Sequence, residues 1–229
     1  MSNLINALQT LTAKDHRKVL EEISQYQLSV LFKNGFIDPN DANFIKDEII
    51  SSAKNMKDNR SPRSIPFIIC PQKINIESLY MAINLGNKDD NSFFLDESSI
   101  FDHKAILPGS EYILTTNVQT NLKFFDGSKG QLIKLPHAVD EILTFPEEKK
   151  LTLREVICLL LYYPEIFNHW DAVFAGGSYW QHQEGIPHSL RIYRLNNFGP
   201  HCYAKLAREK ARIVDSRFLD PRCLDRIII

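Results

Sequence analysis

The chain reads as an α+β protein: an N-terminal helical hairpin followed by a mixed or antiparallel sheet packed with helices. Three observations predict this. Residues 1–60 carry two helical periods and no strand pattern. Short apolar or alternating segments, "IPFIIC", "YILTTNV" and "PHSLRIYRL", then read as strands. Helical segments fall among them without the strict alternation of a doubly wound sheet. The expected division is a hairpin over 1–60 and an α+β main domain over 61–229.

In the hairpin, Val19, Leu20, Ile23, Tyr26, Val30 and Leu31 recur at helical spacing behind a weak capping box of Thr12 and Asp15. Asn34-Gly35 supplies a left-handed stop. Asp38-Pro39 restarts the helix with a cap and a proline at the first helical position. Ala42, Ile45, Ile49 and Ala53 then form the inward stripe. "KNMKDNRSPRS" has no apolar period and reads as a linker.

In the main body, "IPFIIC" has the continuous apolarity of a strand buried on both faces. "INIESLYMAINLG" follows as a helix ending at Gly86, and "NKDDNSFFLDESSIFDHK" as a long acidic surface loop. "YILTTNV" is a β-branched strand, and Asp126-Gly127 sits where a hairpin would turn. "LTLREVICLLLYYPE" carries a capping box of Thr152 and Glu155 and is closed by Pro164. Gly176-Gly177-Ser178 reads as a turn feeding the strand "PHSLRIYRL". "GPHCYAKLAREKARIV" reads as a closing helix with Pro200 near its first turn. The tail "LDRIII" must dock either on the domain or on a partner.

Composition excludes several classes. Apolar residues make up 44 % and charged residues 24 %, a globular mixture rather than a disordered one. A formal net charge of −1 leaves no global field to recruit nucleic acid or an anionic membrane. The longest apolar run, "VICLLLYY", is too short to span a bilayer, and the N-terminus lacks the pattern of a signal peptide. Cys70 and Cys158 lie in apolar runs, as reduced core thiols do, although four cysteines also permit two bridges. The expectation is a cytoplasmic protein.

"PHAVDEILTF", "LTLREVICLLLYYPE", "GGS", "IPHSLRIYR" and "NNFGPHC", with "IPFIIC" upstream, occur in an order that resembles a bacterial family catalogued as a domain of unknown function. The resemblance covers roughly the last two thirds of the chain, on short motifs. It implies a shared fold and carries no catalytic residues.

The stretch from His169 to Arg194 concentrates histidine, arginine and aromatic residues, and four chemistries compete for it. The serine of "GGSYW" resembles a nucleophile elbow, but Trp180 stands where the final glycine belongs. A triad would need His188 or His201, with Asp215. His169, Asp171, His182, Glu184, His188 and His201 supply ligand types for zinc or iron without a diagnostic spacing, so no metal or cofactor is assigned. Cys202, in the first turn of a helix, would have an activated thiol. Anion binding is favoured. Ser189, Arg191 and Tyr193 share one strand face, facing the helix start at His201 and Cys202 and the Gly-rich bend at Ser178.

The expected function is a non-catalytic binding module with an anion pocket formed by Ser178, Ser189, Arg191, Tyr193, His201 and Cys202. The alternative is a small-molecule enzyme using Cys202 or a histidine metal site. Lys205, Arg208 and Arg212 would stripe the closing helix for a protein partner, while the interleaved acids and the lack of a binding motif disfavour nucleic acid.

Overall fold

The computed structural model describes residues 13–53, 64–83, 96–102, 111–119, 149–168, 172–181, 187–196, 202–209, 218–219, 221, 223 and 225–229. It is an α+β structure with an N-terminal pair of helices and two small sheets. The described elements fall into two compact units.

The first unit combines helices α1 (Ala13–Lys33) and α2 (Pro39–Ala53) with strands β1 (Ser64–Pro71), β3 (Tyr112–Gln119) and the C-terminal β8 (Asp225–Ile228). The boundary expected near residue 60 therefore runs through this unit, because the hairpin and β1 pack together. Helix α1 ends in a Schellman motif. Gly35 sits at φ 71°, Phe36 N–H donates to Leu31 O at 2.9 Å and Gly35 N–H to Phe32 O at 3.0 Å. Asp38 Oδ1 accepts from Asn40 N at 2.8 Å, capping α2 behind Pro39. Ile45 and Ile49 are fully buried, as the stripe predicts.

The strands form an antiparallel sheet in the order β1-β3-β8. Phe67, Ile68, Ile69 and Cys70 are all buried, which is the two-faced burial read from "IPFIIC". Between the register pairs Ile65–Val118 and Phe67–Thr116, Pro66 has no N–H to give and Asn117 adopts a φ of 49°. Asparagine is among the few residues that tolerate that region. The isoleucine tail docks on its own chain: β8 pairs with β3 from Ile113–Ile228 to Thr116–Asp225.

The second unit contains α3 (Ile76–Met81), β2 (Ile100–Asp102), α4 (Leu153–Tyr162), β4 (Ala172–Gln181), β5 (Pro187–Asn196), β6 (Cys202–Glu209) and β7 (Phe218–Leu219). Helix α3 is capped by Asn75, whose side chain accepts from Ser78 N, and it closes at Ala82, before the expected Gly86. The predicted acidic loop contains a 3-10 turn at Glu97–Ser99 and the strand β2, which pairs with β4. Helix α4 has the predicted capping box with both bonds formed, and every residue from Val156 to Tyr162 is buried. The sheet runs β2-β4-β5-β6, antiparallel throughout, with β7 joining β4 in parallel. The expected turn at Asp126-Gly127 lies outside the described residues.

Two elements differ from the sequence reading. "CYAKLARE" is strand β6 rather than a helix, paired to β5 in unbroken register from Ser189–Glu209 to Asn196–Cys202. Its alanine, lysine, leucine, arginine and glutamate are good helix formers, but a full ladder with a neighbouring strand overrides local propensity. The Gly-Gly-Ser segment is not a turn between elements. It lies within β4 and bulges there.

Candidate functional site

The bulge organises the second unit. Phe174 pairs with Arg191 and Tyr179 with Ser189, so Ala175 to Ser178 on β4 oppose Leu190 alone on β5. The excess chain meets the segment leading into α4. Gly177 N–H donates to Leu151 O at 2.9 Å, and a Cβ on Gly177 would lie 2.7 Å from Lys150 O. Only a residue without a side chain permits that approach.

Ser178 is 3 % exposed and engaged on both sides. Its Oγ accepts from Leu153 N at 2.7 Å, and its hydroxyl donates to the Asp102 carboxylate on β2. Thr152 Oγ1 accepts from Glu155 N, and Thr152 N donates to Glu155 Oε2 at 2.7 Å. Three backbone N–H groups at the start of α4 thus have protein acceptors. Ser178 thus links β2, β4 and α4, and it lies inside a bulged strand rather than on a strand-to-helix elbow.

Arg191 and Tyr193 lie at alternate positions of β5, with the Phe174 ring opposite. The Arg191 Cζ sits 4.5 Å from the Tyr193 ring centroid and 5.6 Å from that of Phe174, both within cation–π range. Arg191 is buried while Leu190 and Ile192, its chain neighbours, are fully buried on the opposite face. Burial pulls the guanidinium below its ordinary pKa, and Tyr193, through its charge and hydrogen bond, pushes it back up. Burial raises the Tyr193 phenol, against the lowering effect of Arg191.

The other expected site residues separate. Cys202 pairs with Asn196 while Ala207 pairs with Arg191, five positions apart along β6. At a strand's rise per residue that is roughly 17 Å. With β6 extended there is no helix dipole at Cys202, and the arguments for an activated thiol and for a helix-N-terminal anion site both fall. The shared cleft expected of Arg191 and the Cys202 amide is not formed. Lys205 and Arg208 lie in a strand rather than a helix, so the expected basic helix stripe is not formed over them. Arg212 lies outside the described residues.

Ser189 stands between Tyr179 and Glu209 in the sheet register. His201, like His169, Asp171, His182, Glu184 and Asp215, lies outside the described residues. Among the described residues no group of three His, Cys, Asp or Glu is placed to hold a metal ion. Nor is any described helix long and apolar enough to cross a membrane. Comparison with family models, curated proteins and solved structures gives no match, so the reading of the site rests on this chain's own residues.

Sequence reasoning missed Asp102 and Phe174, and it took Gly177 for part of a turn rather than a bulge. Only Gly177 had a local signal, a glycine pair inside an otherwise strand-like segment.

Proposed function

We propose that the protein is a non-catalytic binding module that accepts an anionic small ligand at the Arg191–Tyr193 face of the second sheet. One observation supports this best: a guanidinium within cation–π distance of both the Tyr193 and Phe174 rings. Contact with two rings restrains the fork, and a planar fork matches carboxylate and phosphate oxygens bidentately. Tyr193 is only partly buried and offers the approach from solvent. Cys70, Cys158 and Cys223 are buried outside any disulfide, which supports placing the protein in the reducing cytoplasm. The motif order supports grouping it with the bacterial family it resembles.

The test is a thermal-shift panel of phosphorylated and carboxylate ligands. At least one is expected to raise the melting temperature, because a ligand bound to the folded state alone stabilises it by mass action. Arg191→Lys keeps the charge and loses the fork, so it should remove most of that shift while leaving a folded protein. A panel in which no anion raises the melting temperature overturns the proposal.

A further inference from the structure

The first unit contains an open groove of about 690 Å³ lined by the α1–α2 turn and the adjoining ends of β1 and β3. Its size lies in the range of small-molecule sites, roughly 300–1,000 Å³. The walls combine apolar surface from Phe36, Ile37, Ile74 and Tyr112 with the carboxylates of Asp38, Asp41 and Glu111. Among the described lining residues Lys73 is the cation, and it is ion-paired with Glu111. The balance is therefore negative beside aromatic rings, a combination that suits an organic cation and repels an anion. The field is felt locally: burial first, then Asp41, Glu111 and Asp38, push the Tyr112 phenol above its ordinary pKa. A bare metal ion is a poorer fit, since among the described residues these carboxylates form no metal-ligating group.

We propose that this groove binds an ammonium or guanidinium group carried by a small amine or by a peptide side chain, with Asp41 and Asp38 meeting the charge and Phe36 and Tyr112 the carbon chain. Asp38 Oδ1 is committed to capping α2, so Asp41 is the carboxylate to test first. The site uses the first unit alone and is independent of the anion face at Arg191.

The experiment is an NMR titration of the full chain with cadaverine as a free amine and with Nα-acetyl-lysinamide as a peptide-like side chain. Amide resonances of residues 36–41 and 111–112 are expected to move with either probe, and the tighter of the two identifies the source. Asp41→Asn should weaken binding about threefold to fivefold, the scale of an exposed ion pair. Lys73→Gln removes the competing cation and releases Glu111, so it should tighten binding by a similar factor. The opposite signs separate recognition from damage to the fold. Groove resonances that stay still, two variants that shift affinity in the same direction, or equal binding of glutarate would each overturn the proposal.

Discussion

Ile69 donates its backbone N–H to Gln27 Oε1 at 2.9 Å, and Gln27 Nε2 donates to Phe67 O at 2.9 Å. One side-chain amide on α1 thereby takes the place of a peptide unit on a neighbouring strand. The carbonyl of one residue and the N–H of the next but one point to the same side of a strand, so a single primary amide spans both. Among the described residues β1 is an edge strand, and this contact covers its outer side at Phe67 and Ile69, where an open edge would invite pairing with another chain. Gln27 is fully buried among Leu20, Ile23 and Leu31, which makes the satisfaction of its amide obligatory.

Gln27→Leu is therefore expected to be costly despite restoring a clean apolar stripe. It strands a buried N–H and a buried carbonyl, each worth about 1–3 kcal/mol. Chemical denaturation should show a loss of about 2–4 kcal/mol, accompanied by a greater tendency to self-associate. A variant as stable as the parent would mean that β1 does not depend on this amide.

Two glycines make a contrasting pair. At Gly35 a Cβ meets nothing within 4 Å, and the cost of alanine is the left-handed backbone alone, about 1 kcal/mol. At Gly177 a Cβ would lie 2.7 Å from Lys150 O and 2.9 Å from the Leu151 carbonyl carbon and oxygen. These are backbone atoms and cannot rotate away. Gly177→Ala should cost about 1–3 kcal/mol or more, through strain and displacement of the Leu151 hydrogen bond. Equilibrium unfolding of both variants orders them, and a Gly35→Ala loss exceeding that of Gly177→Ala would contradict the close approach of β4 to the start of α4.

The elements that could be read from sequence are those specified by near neighbours. The Thr152–Glu155 box, the Asn34-Gly35 stop and the Asp38-Pro39 start each act within one turn of chain, and each is where its residues place it. Strand β6 was illegible because its specification is distant: "CYAKLARE" satisfies helix propensity, and only the ladder with β5 makes it a strand. β2 is three residues long and exists through its pairing with β4. Glycine marks turns and bulges alike, so Gly176-Gly177 signalled a departure from regular structure without saying which. Of the expected anion pocket, Arg191 and Tyr193 come together because they share a strand face, whereas a place for Cys202 beside them requires a helix where β6 runs instead. Gln27 did carry a signal. A glutamine four residues after Ile23 and four before Leu31 interrupts an apolar stripe, and a polar residue there needs a buried partner.

Stability should fall at alkaline pH, and Tyr193 and Tyr112 identify why. Burial raises both phenols above the ordinary tyrosine value of 10.0; the nearby carboxylates add to the effect at Tyr112, while Arg191 opposes it at Tyr193. A group whose folded-state pKa is raised contributes stability that is intact below the unfolded value. Above that value the unfolded chain releases its proton while the folded chain still holds it, so the contribution drains away as pH rises through the folded pKa. The melting temperature should therefore begin to decline near pH 10 and keep declining above it. Tyr112→Phe and Tyr193→Phe each remove one titrating phenol and should flatten that limb, leaving the neutral-pH melting temperature lower only by the lost hydroxyl contacts. Phenolate absorbance followed during the same titration assigns the transition. Identical alkaline slopes in the parent and both variants would show that neither tyrosine is shifted by the fold.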